Sequence, residues 1–258
     1  MLPEKTFEDQ VSIVTGGGSG IGLAVATEIA RLGGAVVLAG RKPERLDAAV
    51  ADLTALGAKA LAQPTDVRQP EQVDALVEAA LAWGGRVDML VNSAAGNFLV
   101  DADQLSVNGW LAVVNTVLNG SFFCTRAVGR EMIKAQRGGR IVSIVASYAW
   151  TGGPHTVHSA SAKAGVVAMT RTLAVEWARH GLRVNAVCPG PTDTEGARPL
   201  WQEPAAHRRL LDSIPVGRFA RAEEIAQATT YLLSPYADYV NGEVFVIDGG
   251  EWLGKGLS

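Results

Sequence analysis

The sequence predicts an α/β fold: a single doubly wound parallel sheet with helices on both faces. Three observations carry this. Short unbroken Val/Ile/Leu runs alternate with helix-periodic segments along the whole chain. Those runs lack polar alternation, as strands covered on both sides do, and strand–helix–strand order gives right-handed crossovers and parallel pairing. The chain also carries enough apolar material for one large core, with 258 residues, 48% hydrophobic and 19% charged. No repeat, low-complexity tract or linker divides it, so residues 1–258 read as one domain.

The elements follow in order. Val11 to Thr15 reads as the first buried strand, and Gly22 to Arg31 as a helix with Leu23, Ala26 and Ala30 on one face. Ala35 to Ala39 is a second strand. Glu44 to Leu56 is a helix that turns Leu46, Val50 and Leu53 inward. A third strand precedes Asp66 without clear bounds. Gln72 to Trp83 is a helix and Val87 to Asn92 a strand. A long helical stretch covers Trp110 to Gln136, bent near Gly120. Then come strand Arg140 to Val145, helix Ser159 to His180, strand Arg183 to Val187, helix Glu223 to Leu233 and strand Val244 to Ile247. The stretch 190–214 mixes Pro, Gly, Arg and Trp with weak periodicity and reads as a mobile lid.

Between the first strand and the first helix stands Thr15-Gly16-Gly17-Gly18-Ser19-Gly20-Ile21-Gly22. Glycines let a pyrophosphate approach the backbone, and the following helix N-terminus offers unpaired N–H groups and a positive dipole end. The turn therefore predicts a nucleotide site of Rossmann type. The second strand ends in Gly40-Arg41-Lys42. No carboxylate stands there to accept from a ribose 2′-hydroxyl, and Arg41 offers a planar cation to a 2′-phosphate. The expected cofactor is NADPH/NADP; the alternative is that Arg41 and Lys42 are a solvated charge pair.

Composition excludes other classes. A net charge of −3 gives no global field for nucleic acid. No run reaches about 18 apolar residues, so no membrane span is expected. The start, Met1-Leu2-Pro3-Glu4-Lys5, lacks a signal peptide's apolar segment, and Gly256-Leu257-Ser258 is not a Ser-Lys-Leu-type address. Cys124 and Cys188 cannot build a disulfide framework and read as buried filler in a cytoplasmic protein. His155 and His158 lie near Ser159, but no G-x-S-x-G elbow supports a hydrolase, and no metal-ligand spacing occurs.

In His158-Ser159-Ala160-Ser161-Ala162-Lys163, Ser159 and Lys163 share one helical face. Together with the G-x-x-x-G-x-G turn (Gly16, Gly20, Gly22), this segment resembles the short-chain dehydrogenase/reductase family. There, Tyr-x-x-x-Lys supplies a phenolic donor and a lysine that grips the nicotinamide ribose. Asp66-Val67 resembles the family's adenine pair, Asn92-Ser93-Ala94-Ala95-Gly96 its segment beside the cofactor, and Pro189-Gly190 with Thr192 and Thr194 its nicotinamide-contacting segment. Val246-Ile247-Asp248-Gly249-Gly250 matches its last strand. Yet Ser159 fills the Tyr position, Ala146 that of the usual Ser and Val117 that of the usual Asn.

The replacements resemble one subfamily, the NADPH-dependent 2,4-dienoyl-CoA reductases. The segments that carry this are 92–98, Leu118-Asn119-Gly120, 159–165 and Cys188-Pro189-Gly190-Pro191. In that subfamily the working Tyr lies eleven residues before the Ser, which is Tyr148 here, and the Asn of Ala-Ala-Gly-Asn-Phe is Asn97. The resemblance implies that Asn97, Tyr148, Ser159 and Lys163 are catalytic. It implies cofactor contacts from Gly16, Ser19, Gly20, Ile21, Gly22, Arg41, Asp66, Val67, Ala94, Lys163, Pro189, Gly190 and Thr192. It further implies a CoA-thioester substrate, a homotetramer and service to fatty acid β-oxidation. Arg198, Arg208 and Arg209 are expected either to meet CoA phosphates or to be solvated helix charges. Three residue-level alternatives stand: Tyr148 as a loop tyrosine, Asn97 as a turn residue and Ser159 as a helix N-cap. Two alternatives stand for the whole protein: a reductase of another carbonyl or conjugated substrate, and a non-catalytic NADP(H)-binding sensor.

Overall fold

The computed structural model describes residues 2–253; Met1 and the terminal Gly256-Leu257-Ser258 lie outside the described residues. Seven strands among them form one sheet: β1 (Val11–Thr15), β2 (Ala35–Gly40), β3 (Ala60–Pro64), β4 (Met89–Asn92), β5 (Gly139–Ile144), β6 (Leu182–Pro189) and β7 (Val244–Ile247). Their order is β3-β2-β1-β4-β5-β6-β7 and every neighbouring pair is parallel. The order reverses between β1 and β4, which opens a crevice at the strands' C-terminal ends, where ligands of such sheets bind.

Successive strand residues point to opposite faces, and both faces are apolar. Val14, Leu38 and Val91 join α1 (Gly20–Arg31), α2 (Pro43–Ala55) and α9 (Ala222–Leu233) in one buried cluster. Ile13, Val37 and Leu90 join α3 (Pro70–Gly84) and α5 (Gly120–Ala135) in the other. Each such side chain contributes roughly 1.5–3 kcal/mol of burial. A third cluster packs α7 (Val157–Trp177) over β6 through Ala162, Val166, Ala186 and Cys188. Both cysteines are buried, and burial pushes the Cys124 thiol up to about 12, which makes it inert.

The structure departs from the sequence reading at several elements. β3 has the sequence Ala-Leu-Ala-Gln-Pro, poor in β-branched residues; only its place at the sheet edge accommodates Pro64. Val107–Ala135 is one continuous helix: α4 (Val107–Val114), a π turn (Asn115–Asn119) and α5. By length and mean hydropathy it could cross a membrane, but polar residues interrupt it throughout, from Asn108 to Arg130. Val113, Val117, Cys124, Val128 and Met132 bury its inner face in the core. Gly120 has no room for a side chain, because a Cβ there would lie 2.6 Å from Val67. The 190–214 stretch is also more regular than expected, holding α8 (Pro204–Asp212), whose first N–H groups (Ala205, Ala206) donate to the Glu203 carboxylate at 2.9 and 2.7 Å.

Candidate active site

The crevice forms one cleft of about 730 Å³. Every residue named above as catalytic or cofactor-binding lines it. They arrive from the ends of six strands and from α7, so the sheet brings together groups scattered over more than 170 residues of sequence.

The glycine turn sits at the nucleotide end. Gly16 has φ +67°, and a Cβ there would lie 2.9 Å from the Ser93 carbonyl oxygen. A Cβ on Gly22 would collide with the Gly16 carbonyl. Ser19 begins α1 in an extended conformation without capping it by its side chain, so the first-turn N–H groups lack a helical acceptor. Thr15 Oγ1 accepts from the Ser93 and Ala94 N–H groups, both at 3.1 Å, and locks the two loops together. This cradle fits a dinucleotide pyrophosphate. Arg41 is exposed beside it, after Gly40, and no ion pair occupies it among the described residues. Asp66 is already engaged: Arg68 donates to both its oxygens, and this hydrogen bond holds its carboxyl below the usual range.

At the other end, Ser159 and Lys163 lie on the buried face of α7, 1% and 7% exposed. α7 begins at Val157 with Thr156 in the N-cap position, so Ser159 lies inside the helix and is not its cap. Its hydroxyl instead meets Tyr148 Oη at 3.0 Å. Tyr148 opens α6 (Tyr148–Thr151), a single turn after β5. Burial raises the Tyr148 pKa above its ordinary value and the Ser159 hydrogen bond opposes this more weakly, so the phenol keeps its proton at neutral pH and serves as a donor. Lys163 Nζ donates to the Ile144 carbonyl at 2.5 Å, and burial lowers its pKa to about 8. Asn97 is half-buried; its Oδ1 accepts from the Phe98 N–H at 3.0 Å, and Nδ2 has no protein partner among the described residues.

Several lining residues escaped the sequence reading: Thr116 on the π turn, Leu99, and Leu200, Trp201 and Leu210 from the 190–214 segment. Glu251 also lines the cleft and accepts from Ser147 Oγ at 3.5 Å, across 104 residues of sequence. The apolar residues inside the otherwise polar 190–214 stretch were the one available signal. None of the three arginines expected to meet CoA phosphates lines the cleft. Arg198 donates to Asp193 at 2.8 Å, and Arg208 and Arg209 are exposed on α8, which matches solvated helix charges.

Residues 16–251 match the family profile described as enoyl-(acyl carrier protein) reductase. A Bacillus subtilis protein named "Probable 2,4-dienoyl-CoA reductase [(2E)-enoyl-CoA-producing]" is 43% identical over 249 residues, 96% of this chain and 98% of that one. A Danio rerio protein named "Peroxisomal 2,4-dienoyl-CoA reductase [(3E)-enoyl-CoA-producing]" is also 43% identical, over 96% of this chain and 83% of its own. A crystal structure of a short chain dehydrogenase from Bacillus anthracis superposes with TM-score 0.87 at 43% identity, covering 95% of this chain and 97% of that one. A crystal structure described as "a putative NAD(P) dependent gluconate 5-dehydrogenase from Beutenbergia cavernae", with NADP bound at low occupancy, reaches 0.92 at 32% identity, covering 97% and 100%.

Proposed function

The chain belongs to the short-chain dehydrogenase/reductase family, and from that premise we propose that it is an NADPH-dependent reductase of a 2,4-dienoyl-CoA or related enoyl-CoA thioester. The observation that carries the reading is the Tyr148–Ser159 contact beside Lys163: a phenol stands in the cleft although the ordinary Tyr position holds serine. A sensor that only binds the dinucleotide has no use for a protonated phenol there. Both curated relatives are named for this substrate class.

Gly16, Ser19, Gly20, Ile21 and Gly22 would hold the pyrophosphate, Arg41 the 2′-phosphate, and Asp66, Val67 and Ala94 the adenosine side. Pro189, Gly190 and Thr192 would border the nicotinamide, and Lys163 with Ser159 its ribose. The bound cofactor supplies a hydride to the far carbon of the conjugated system. Negative charge then gathers on the thioester oxygen, well away from the carbon attacked. Tyr148 Oη–H and Asn97 Nδ2–H are the donors proposed for that oxygen, and each such donor is worth about 3–4 kcal/mol in the transition state. With Tyr148 pointing its proton at the substrate, Ser159 donates to Tyr148 Oη and holds the ring in place. Protonation at the α carbon, by Tyr148 or by an ordered water, would yield a 3-enoyl-CoA.

NADPH absorbance followed with a 2,4-dienoyl-CoA, a ketone and buffer tests the proposal. Rapid loss only with the dienoyl-CoA, giving a 3-enoyl product by NMR, is expected; turnover of the ketone alone would overturn it. We also propose a cytoplasmic homotetramer. Apolar surface supports the assembly: Val175 of α7 is 82% exposed, and Tyr231 and Phe245 pack together at the β7 edge, both partly exposed. The 190–214 segment is proposed as the lid, with Leu200, Trp201 and Leu210 facing the acyl chain.

A further inference from the structure

Two loops carry the groups proposed to grip the thioester oxygen: Asn97 follows β4, and Tyr148 follows β5. Both loops run on past the cleft and meet. The Val100 N–H donates to the His155 carbonyl at 3.0 Å. His155 Nδ1 lies 2.6 Å from Asp101 Oδ1. The Phe98 ring, next to Asn97, stands edge-on to the His158 ring with centroids 4.5 Å apart. His158 is fully buried and neither ring nitrogen has a hydrogen-bond partner, so packing alone holds it against Phe98.

His155 has φ +62°, in the left-handed region that few non-glycine residues occupy. Its contact with Asp101 is half-exposed, 56% and 64%, and such surface contacts add little to stability. Neither Asp101 nor His155 lines the cleft. A strained backbone residue is thus maintained at a contact that does little for stability and touches no ligand. What the contact adds is a side-chain tie between two catalytic loops that are otherwise joined by the single Val100–His155 main-chain hydrogen bond.

We infer that His155 and Asp101 are positioning residues: they clasp the Asn97 loop to the Tyr148 loop and set the gap between the two oxygen donors. The inference rests on the reading of Asn97 and Tyr148 as those donors. A shift of about 1 Å in such a site costs on the order of 100-fold in rate.

The test uses the full-length protein with Asp101→Ala, His155→Gly and the double variant. Glycine relieves the φ strain while deleting the ring. Each single variant is expected to lose roughly 10- to 100-fold in kcat with dienoyl-CoA, while the melting temperature and the NADPH dissociation constant stay as in wild type. The double variant is expected to be no worse than either single. His155→Asn, which tolerates positive φ and donates to Asp101, restores most of the rate. Hydrogen exchange without substrate is expected to rise in residues 97–104 and 152–156 together. A kcat within twofold of wild type, losses that multiply in the double variant, or unchanged exchange would each overturn the clasp. Exchange reports on the loops whether or not the reaction is assigned correctly. A wild type that ignores dienoyl-CoA therefore counts against the donor reading, and unchanged exchange counts against the clasp itself.

Discussion

Replacing Tyr148 by phenylalanine removes one oxygen atom, and the structure indicates what should follow. That oxygen is one of the two donors proposed for the thioester, so transition-state stabilisation falls by about 3–4 kcal/mol, or roughly 10²- to 10³-fold in kcat. It is also the 3.0 Å partner of Ser159, whose side chain is otherwise sealed off at 1% exposure. Stranding that hydroxyl costs about 1–3 kcal/mol of folding stability, or a few degrees in Tm for a chain of this size. The two losses are separable. Adding Ser159→Ala to Tyr148→Phe removes the stranded hydroxyl and should recover most of the Tm while leaving kcat low. NADPH affinity, read by fluorescence titration, should hardly change for Tyr148→Phe alone, since the ring remains as cleft wall. Initial rates of NADPH consumption at saturating dienoyl-CoA measure the catalytic effect. A Tyr148→Phe enzyme within threefold of wild type would refute the assignment, whatever its stability.

Further outcomes follow from other parts of the cleft. Gly40→Asp places a carboxylate where a 2′-phosphate is expected and should weaken NADPH binding by about two orders of magnitude, each lost charged hydrogen bond being worth about 1.5–3 kcal/mol, while NADH binding improves; an unchanged NADPH/NADH ratio in competition titrations would count against the Arg41 assignment. Lys163, lowered from 10.5 to about 8 by burial, opposes folding at neutral pH, because the unfolded lysine binds a proton more tightly than the folded one. That cost is full below pH 8 and fades as pH rises towards 10.5. The stability advantage of apo Lys163→Met should therefore shrink by about 3 kcal/mol between those limits, as urea unfolding at several pH values would show. His158→Leu trades an unpartnered buried imidazole for an apolar side chain, and should leave the melting temperature unchanged or raised; a fall of several degrees would mean the ring has a polar partner in solution.

Legibility followed the range of the determining contacts. β1, β2 and β4 were readable because a strand buried on both faces is apolar almost throughout; β5 and β6 keep enough of that pattern after Arg140 and Arg183, and β7 reads Val-Phe-Val-Ile although it is the other edge of the sheet. The glycine turn was readable because phosphate cradling is a local property of the backbone. β3 was blurred because an edge strand tolerates Ala, Gln and Pro, and α8 because it buries none of its residues and so imposes no apolar stripe. The catalytic set was legible only through spacing and resemblance. Nothing local to Tyr148 reveals that one turn of helix after β5 swings it onto Ser159. The π turn that brings Thr116 to the cleft, the Ser147–Glu251 contact and the Asp101–His155 pair depend on partners distant in sequence, and no periodic pattern encodes them.

A crystal structure with NADP and an unreactive dienoyl-CoA analogue probes the relocated donors directly. The thioester oxygen should lie about 2.7–3.1 Å from both Tyr148 Oη and Asn97 Nδ2, with Lys163 and Ser159 at the nicotinamide ribose. An oxygen seated elsewhere, with the phenol facing solvent or only Ser159 in reach, would contradict the proposed chemistry.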